Sequence, residues 1–88
     1  IPLYPPIIED LAFVTPEKFL LEDLIQLIKS SNSIIQSVKL LDIHENTKTL
    51  RIVYQHPTKT LSDKEIKAIR EKIIERAKKE LRVKIKGL

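Results

Sequence analysis

Hydrophobic and polar residues recur along this chain with two periods, and the switches between them mark its elements. Over residues 7–14 the period is two: Leu11 and Phe13 fall on one side, Asp10, Ala12 and Val14 on the other, as in a strand with two different faces. Thr15-Pro16 closes it, because proline has no N–H for a continuing ladder. Leu21, Leu24, Ile25 and Ile28 then follow the i, i+3, i+4, i+7 spacing of a helix over residues 20–31, with Glu22 and Asp23 in the first turn, where the dipole favours acids. Ser30-Ser31-Asn32-Ser33 ends it, and Asn32 is expected to be a left-handed cap in place of glycine. The period of two returns over residues 34–45 and 47–55, where Leu50, Ile52 and Tyr54 alternate with Thr49, Arg51 and Val53. Glu45-Asn46-Thr47-Lys48 makes the short hairpin turn between these strands, and His56-Pro57 stops the second of them. Ser62-Asp63-Lys64-Glu65 is a capping box, opening a helix whose buried face carries Ile66, Ile69, Ile73, Ala77 and Leu81. Arg82-Val83-Lys84-Ile85-Lys86 alternates basic and apolar, a short strand with one wet face.

The order is β-α-β-β-α-β, which predicts an α+β fold of the ferredoxin-like (split βαβ) type. Two helices should cover one face of a four-stranded antiparallel sheet of spatial order 4-1-3-2. Residues 1–6, IPLYPP, with three prolines, read as an extended lead-in or linker, and residues 7–88 as the domain. Alternation turns Leu11, Phe13, Val38, Leu40, Leu50, Ile52, Tyr54, Val83 and Ile85 toward the helices. The opposite set is Asp10, Ala12 and Val14, then Lys39, Leu41 and Ile43, then Thr49, Arg51 and Val53, then Arg82, Lys84 and Lys86. This face has an apolar middle and basic edges, on which bases could lie while lysines and arginines hold phosphates. It offers no aromatic ring for stacking.

Composition narrows the possibilities. Eighty-eight residues suit one domain, and its core must come from Ile, Leu and Val, because the chain has two Phe, two Tyr and no Trp. The absence of cysteine excludes disulfides, thiolate metal sites and a cysteine nucleophile. No apolar run approaches the roughly 18 residues of a membrane span, and the N-terminus lacks the pattern of a signal peptide. A cytoplasmic location is therefore expected. No Met is present, even at position 1, so the chain is expected to be a domain cut from a longer polypeptide.

The net charge of +4 is unevenly spread. Residues 1–45 hold three lysines against seven acids, a net −4, whereas residues 46–88 hold thirteen Lys or Arg against five acids, a net +8. A basic half suggests an anionic partner, nucleic acid before membrane surface. A solvated, lysine-rich helix explains the same charge without a partner. Arg51 could likewise serve as a cross-strand partner for Asp10, and Arg82, Lys84 and Lys86 as a solvated edge that resists aggregation.

Enzyme chemistry finds little support. His44, Asp42 and Glu45 match no familiar metal-ligand spacing, no Ser sits in a nucleophile motif, and the single glycine, Gly87, excludes a glycine-rich phosphate loop. Thr15-Pro16-Glu17-Lys18 lacks the arginine and glycines of an acylphosphatase cradle, and the glycine usual in amino-acid-sensing ACT domains is also missing from that turn.

Several runs in register resemble one family. Residues 4–14, YPPIIEDLAFV, look like the opening of the ferredoxin-fold anticodon-binding domain that ends the beta chain of bacterial phenylalanyl-tRNA synthetases and the single-chain organellar enzymes. Asp23-Leu24, residues 37–42 (SVKLLD), residues 50–55 (LRIVYQ) and residues 60–65 (TLSDKE) continue the match, which spans residues 4–86. The family often has Arg where this chain has Glu9 and an aromatic where it has Leu41, and its loop between the second and third strands is often longer. The first two departures are expected to take a positive charge and a stacking surface from the RNA side. The resemblance implies a non-catalytic module that reaches the anticodon region of phenylalanine-specific tRNA within an alpha/beta synthetase assembly. It implies no cofactor for the domain itself, ATP and magnesium belonging to the parent enzyme, and no metal or membrane. Asp10 and Arg51 match the family's motif positions. Lys39, Lys48, Arg82, Lys84 and Lys86 complete the expected RNA-binding set from alternation alone. A protein-interaction or structural domain, its open sheet face packed on a partner, is the alternative.

Overall fold

The computed structural model describes residues 5–86; the first four residues of the expected lead-in lie outside them. The elements are β1 (Ile7–Val14), α1 (Leu21–Ser31), β2 (Ile35–His44), β3 (Thr47–Tyr54), α2 (Asp63–Arg76) and β4 (Lys84–Ile85), with a π-helical turn, Ala77–Leu81, between α2 and β4. The sheet runs β2-β3-β1-β4 with every pair antiparallel, the expected order read from its other edge. Both helices lie on one side. Leu24, Leu27 and Ile28 of α1 and Ile66 and Ile73 of α2 meet Leu11, Phe13, Leu50, Ile52 and Tyr54 of the central strands in one apolar cluster.

Sequence accounts for most boundaries. Ser62 caps α2, its Oγ accepting from the Glu65 N–H at 3.3 Å. Only this half of the capping box forms as expected: the Glu65 carboxylate turns to Lys59 at 3.1 Å. Asn32 departs from expectation. Its φ of −159° is extended rather than left-handed, and its side chain accepts from the Ile34 N–H at 3.0 Å. That side-chain turn ends α1 and starts β2 without a positive φ.

The carbonyl end of α1 is satisfied from outside. The Arg76 guanidinium donates to the Ser31 and Ser30 hydroxyls at 3.0 and 3.3 Å and to the Leu27 carbonyl at 3.4 Å, while pairing with Glu80 at 2.9 Å. A cation at a helix C-terminus offsets the dipole, so this strap fastens α1 to α2.

Candidate nucleic-acid interface

Strand register places each side chain on one face or the other. Asp10 stands opposite Arg51, which stands opposite Lys39, so these three cross the open face as one row. Ala12, Thr49 and Asp42 form the next row, then Val14, Thr47 and His44. On the outer flank of β1, Lys84 pairs with Val14, and the Lys86 N–H donates to the Ala12 carbonyl at 2.8 Å. Lys39 and Lys84 thus stand on opposite edges, three strand spacings or about 14 Å apart across the sheet and four residues apart along it. Among the described residues, the strand positions of this face hold Lys39, Arg51 and Lys84, joined by Lys86 just past β4, against Asp10 and Asp42.

The centre of the face is locally neutralised. Arg51 donates to both Asp10 oxygens, from Nε at 2.9 Å and from an Nη at 3.2 Å. These bonds hold the Asp10 carboxyl below the usual carboxylate range and push the Arg51 pKa further up. The pair is roughly half exposed, so it orients Arg51 more than it stabilises the fold. Lys39, directly opposite Arg51 on β2, adds a like charge to the row, which an anion settling there would relieve.

Three expected positions move. β2 slips against β3 between Leu40 and Asp42, so Ile43 pairs with Lys48 on the helix-side alternation, and Asp42 and His44 take the open side. The bulge inserts one residue and reverses the faces beyond it. Lys48 stands on the same alternation as Leu50, not on the open face. Its ammonium donates to Thr15 Oγ1 at 2.6 Å and lies 5.8 Å from the Phe19 ring centroid. It therefore fastens the hairpin end to the loop after β1, helped by two bonds from Thr15 to the Asn46 carbonyl. Arg82 precedes the strand instead of opening it: with φ 56° and ψ 33° it is the left-handed residue that ends the π-helical turn. The Val83 N–H reaches back to the Ala77 carbonyl at 3.1 Å, and β4 keeps only Lys84 and Ile85.

Glu9 proves not to belong to the open face either. It alternates with Asp10 and lies on the helix side, where the Tyr54 hydroxyl donates to it at 3.1 Å and Arg70 of α2 at 2.6 Å. Acid in place of the family's frequent Arg therefore takes no positive charge from the open face; it joins β1, β3 and α2. Burial pushes the Tyr54 phenol well above its usual range, and the Glu9 carboxylate adds to this.

Sequence reasoning missed three residues of the open face, Ile8, Asp42 and His44. Ile8 pairs with Val53 on it and is 57% exposed, an apolar end that simple alternation from Asp10 would have found. The open-side placement of Asp42 and His44 was signalled by adjacent Leu40 and Leu41, a break of phase in an otherwise alternating strand. Among the described residues, no group of three His, Asp or Glu side chains could hold a metal ion, and no helix is long and apolar enough to cross a membrane.

The comparisons with known proteins agree with this architecture. The chain is 35% identical over 95 residues to the phenylalanine–tRNA ligase beta subunit of Prochlorococcus marinus, a match covering 98% of the chain and 12% of that subunit. The corresponding subunit of Thermotoga maritima is 29% identical over 92 residues, covering 94% of the chain and 12% of the subunit. That of Dechloromonas aromatica is 35% identical over 80 residues, covering 81% and 10%. The chain thus spans about one eighth of the length of the relatives it matches. The family model for the ferredoxin-fold anticodon binding domain matches residues 2–86, and the chain belongs to that family.

Proposed function

We propose that this chain binds the anticodon region of phenylalanine-specific tRNA, as a non-catalytic module of a phenylalanine–tRNA ligase beta chain. Within a cytoplasmic alpha/beta assembly it supports aminoacylation by holding the far end of the tRNA. It uses no cofactor; ATP and magnesium are bound by the parent enzyme. The observation that carries this reading is the family match along residues 2–86, and the uncovered sheet face with its four cations supports it. Lys84 and Lys86 along one edge hold phosphates, and Arg51, aimed by Asp10, meets a phosphate or base edge near the middle. Lys39 flanks it on β2.

A second reading draws on Ile8 and Val14, both exposed on the same face: that face packs on another part of the assembly or on another protein. Salt separates the two, because contacts to several phosphates weaken steeply with ionic strength and apolar contacts barely respond. The experiment is a titration of labelled anticodon stem-loop at about 50 and about 200 mM salt. Wild type should bind more weakly at the higher salt. The Lys84→Ala/Lys86→Ala variant should bind more weakly still, with the logarithmic salt slope reduced by roughly one to two. Arg51→Ala, once shown to be folded, should lose more affinity for the phenylalanine anticodon loop than for a scrambled loop. A folded wild type without salt-sensitive binding overturns the RNA reading.

A further inference from the structure

A groove of about 430 Å³ lies beside the β4 edge, lined by Ile74 and Lys78 from the helical layer and by Val83, Lys84 and Ile85. Its size falls in the range of roughly 300–1,000 Å³ of sites for small organic ligands. Ile74 and Ile85 line it with half-buried side chains above the core residue Val83, Lys78 and Lys84 accompany them, and no carboxylate is among the lining residues. Lys84 belongs both to this groove and, through its pairing with Val14, to the open face. The lysine edge of the sheet therefore continues around β4 into the groove.

The ladder adds a specific feature. The Lys86 N–H bonds to Ala12 of β1, so by antiparallel alternation Ile85 turns its own N–H and C=O away from β1, toward the edge where the groove lies. One donor beside one acceptor matches the hydrogen-bonding edge of a single nucleobase. An added peptide strand would need a longer run of such groups, and β4 has only two residues.

We infer that this groove takes in one unpaired nucleotide of an RNA strand that rounds the β4 edge. The base lies against Ile74 and Ile85 over the buried Val83 and meets the Ile85 backbone, and its flanking phosphates lie by Lys78 and Lys84. The inference rests on the reading of the open face as an RNA surface, and it adds a contact on the helix side of the edge.

The test is a methyl-labelled sample of the 88-residue chain, titrated with the anticodon stem-loop and with a blunt RNA duplex lacking unpaired nucleotides. The stem-loop should shift the Ile74, Val83 and Ile85 methyl signals together with those of Val14 and Val53, while the duplex leaves the groove methyls in place. Lys78→Ala should weaken stem-loop binding several-fold and lower the salt slope by about one. Shifts confined to the open face, equal groove shifts with the duplex, or unchanged affinity of Lys78→Ala overturn the groove and leave the open-face reading standing. A glutamate-rich peptide that shifts the groove methyls when the stem-loop does not assigns the groove to a protein partner and also overturns it. Absence of stem-loop binding by the wild type overturns both.

Discussion

β1 and β3 pair over eight consecutive rungs without a slip, from Ile7 opposite Tyr54 to Val14 opposite Thr47. At the sheet edges pairing is looser: β2 slips twice against β3, and β4 retains two residues after a π-helical turn and a left-handed arginine. A central strand has a ladder on both flanks and helices over one face, so a shift of one residue would expose Leu11, Leu50 and Ile52 together. An edge strand has one ladder and can shed or insert a residue at small cost. Charge follows the same division. At the centre, Arg51 is paired with Asp10, whereas the edge cations Lys39, Lys84 and Lys86 have no carboxylate partner among the described residues. Rigidity and free charge are thus separated across the sheet, an arrangement suited to holding a flexible polyanion on a fixed frame.

The sharpest test of this division is truncation of matched isoleucines. Ile52, fully buried on β3, should cost about 2–5 kcal/mol when replaced by alanine, with Leu50→Ala and Ile73→Ala in the same range. Ile85→Ala on β4, where the side chain is half-buried beside the groove, should cost about 1 kcal/mol. Urea midpoints at constant slope measure both. Equal losses at the two sites would mean that the β4 edge is as tightly packed as the centre, and the contrast would fail.

A smaller effect separates the two faces of a single strand. Glu9 and Asp10 are neighbours in β1, yet Glu9 receives bonds from Tyr54 and Arg70 inside the helix layer while Asp10 pairs with Arg51 in solvent. Glu9→Ala should cost about 1–3 kcal/mol, because the buried Tyr54 hydroxyl and the Arg70 guanidinium lose their acceptor. Asp10→Asn should cost less, as the pair it breaks is exposed and screened by salt. Their pH signatures differ in sign. Asp10, with its pKa lowered by folding, contributes stability above the unfolded value of about 4 that is lost as pH falls through the folded value. Tyr54, with its pKa raised, contributes stability below the unfolded value of about 10 that is lost as pH rises beyond it. Denaturant midpoints against pH should show an alkaline decline that Tyr54→Phe flattens, and an acid decline that Asp10→Asn reduces.

How far the structure was legible in the sequence follows the same lines. The strands at the centre could be read residue by residue, because burial of Leu11, Phe13, Leu50, Ile52 and Tyr54 forces a period of two. The Asp10–Arg51 contact, one of two roles the sequence leaves open for Arg51, is made by the observed register of β1 against β3. Legibility failed where local backbone chemistry competes with periodicity. Leu40-Leu41 looked like one more step of alternation and is a bulge; Arg82 looked like a strand residue and is the left-handed end of a helical turn. Asn32 turned the chain through its side chain, which a cap rule based on positive φ does not anticipate. Lys48 shares the helix-side alternation of Leu50 and Ile52, and its partners, Thr15 and Phe19, lie in a loop remote in sequence, so alternation does not carry it to the open face.

The smallest expected effect is also the one that most directly probes the edge backbone. Glu45 has φ 55° at the first position of the two-residue loop joining β2 and β3, since His44 already pairs with Thr47. Hairpin loops favour glycine, asparagine or aspartate where φ is positive, because a larger side chain crowds the following carbonyl. That crowding costs roughly 1–2 kcal/mol at a residue with a Cβ, and glycine relieves it while giving back about 0.5–1 kcal/mol through its freer unfolded chain. Glu45→Gly should therefore raise stability by about 0.5–1 kcal/mol, read as a higher urea midpoint with an unchanged slope. Asp10, Lys84 and Lys86 are untouched by the change, so stem-loop affinity should shift little once loss of one acidic charge at the hairpin tip is allowed for. The substitution that relieves Arg82 in the same way, Arg82→Gly at φ 56°, removes a cation next to β4. It should stabilise the fold by a similar amount and weaken RNA binding. Two variants with matched gains in stability, one leaving binding nearly unchanged and the other weakening it, would separate the strain at the edges from the charge carried there. A loss of stability in Glu45→Gly would show that the hairpin holds its left-handed residue without strain.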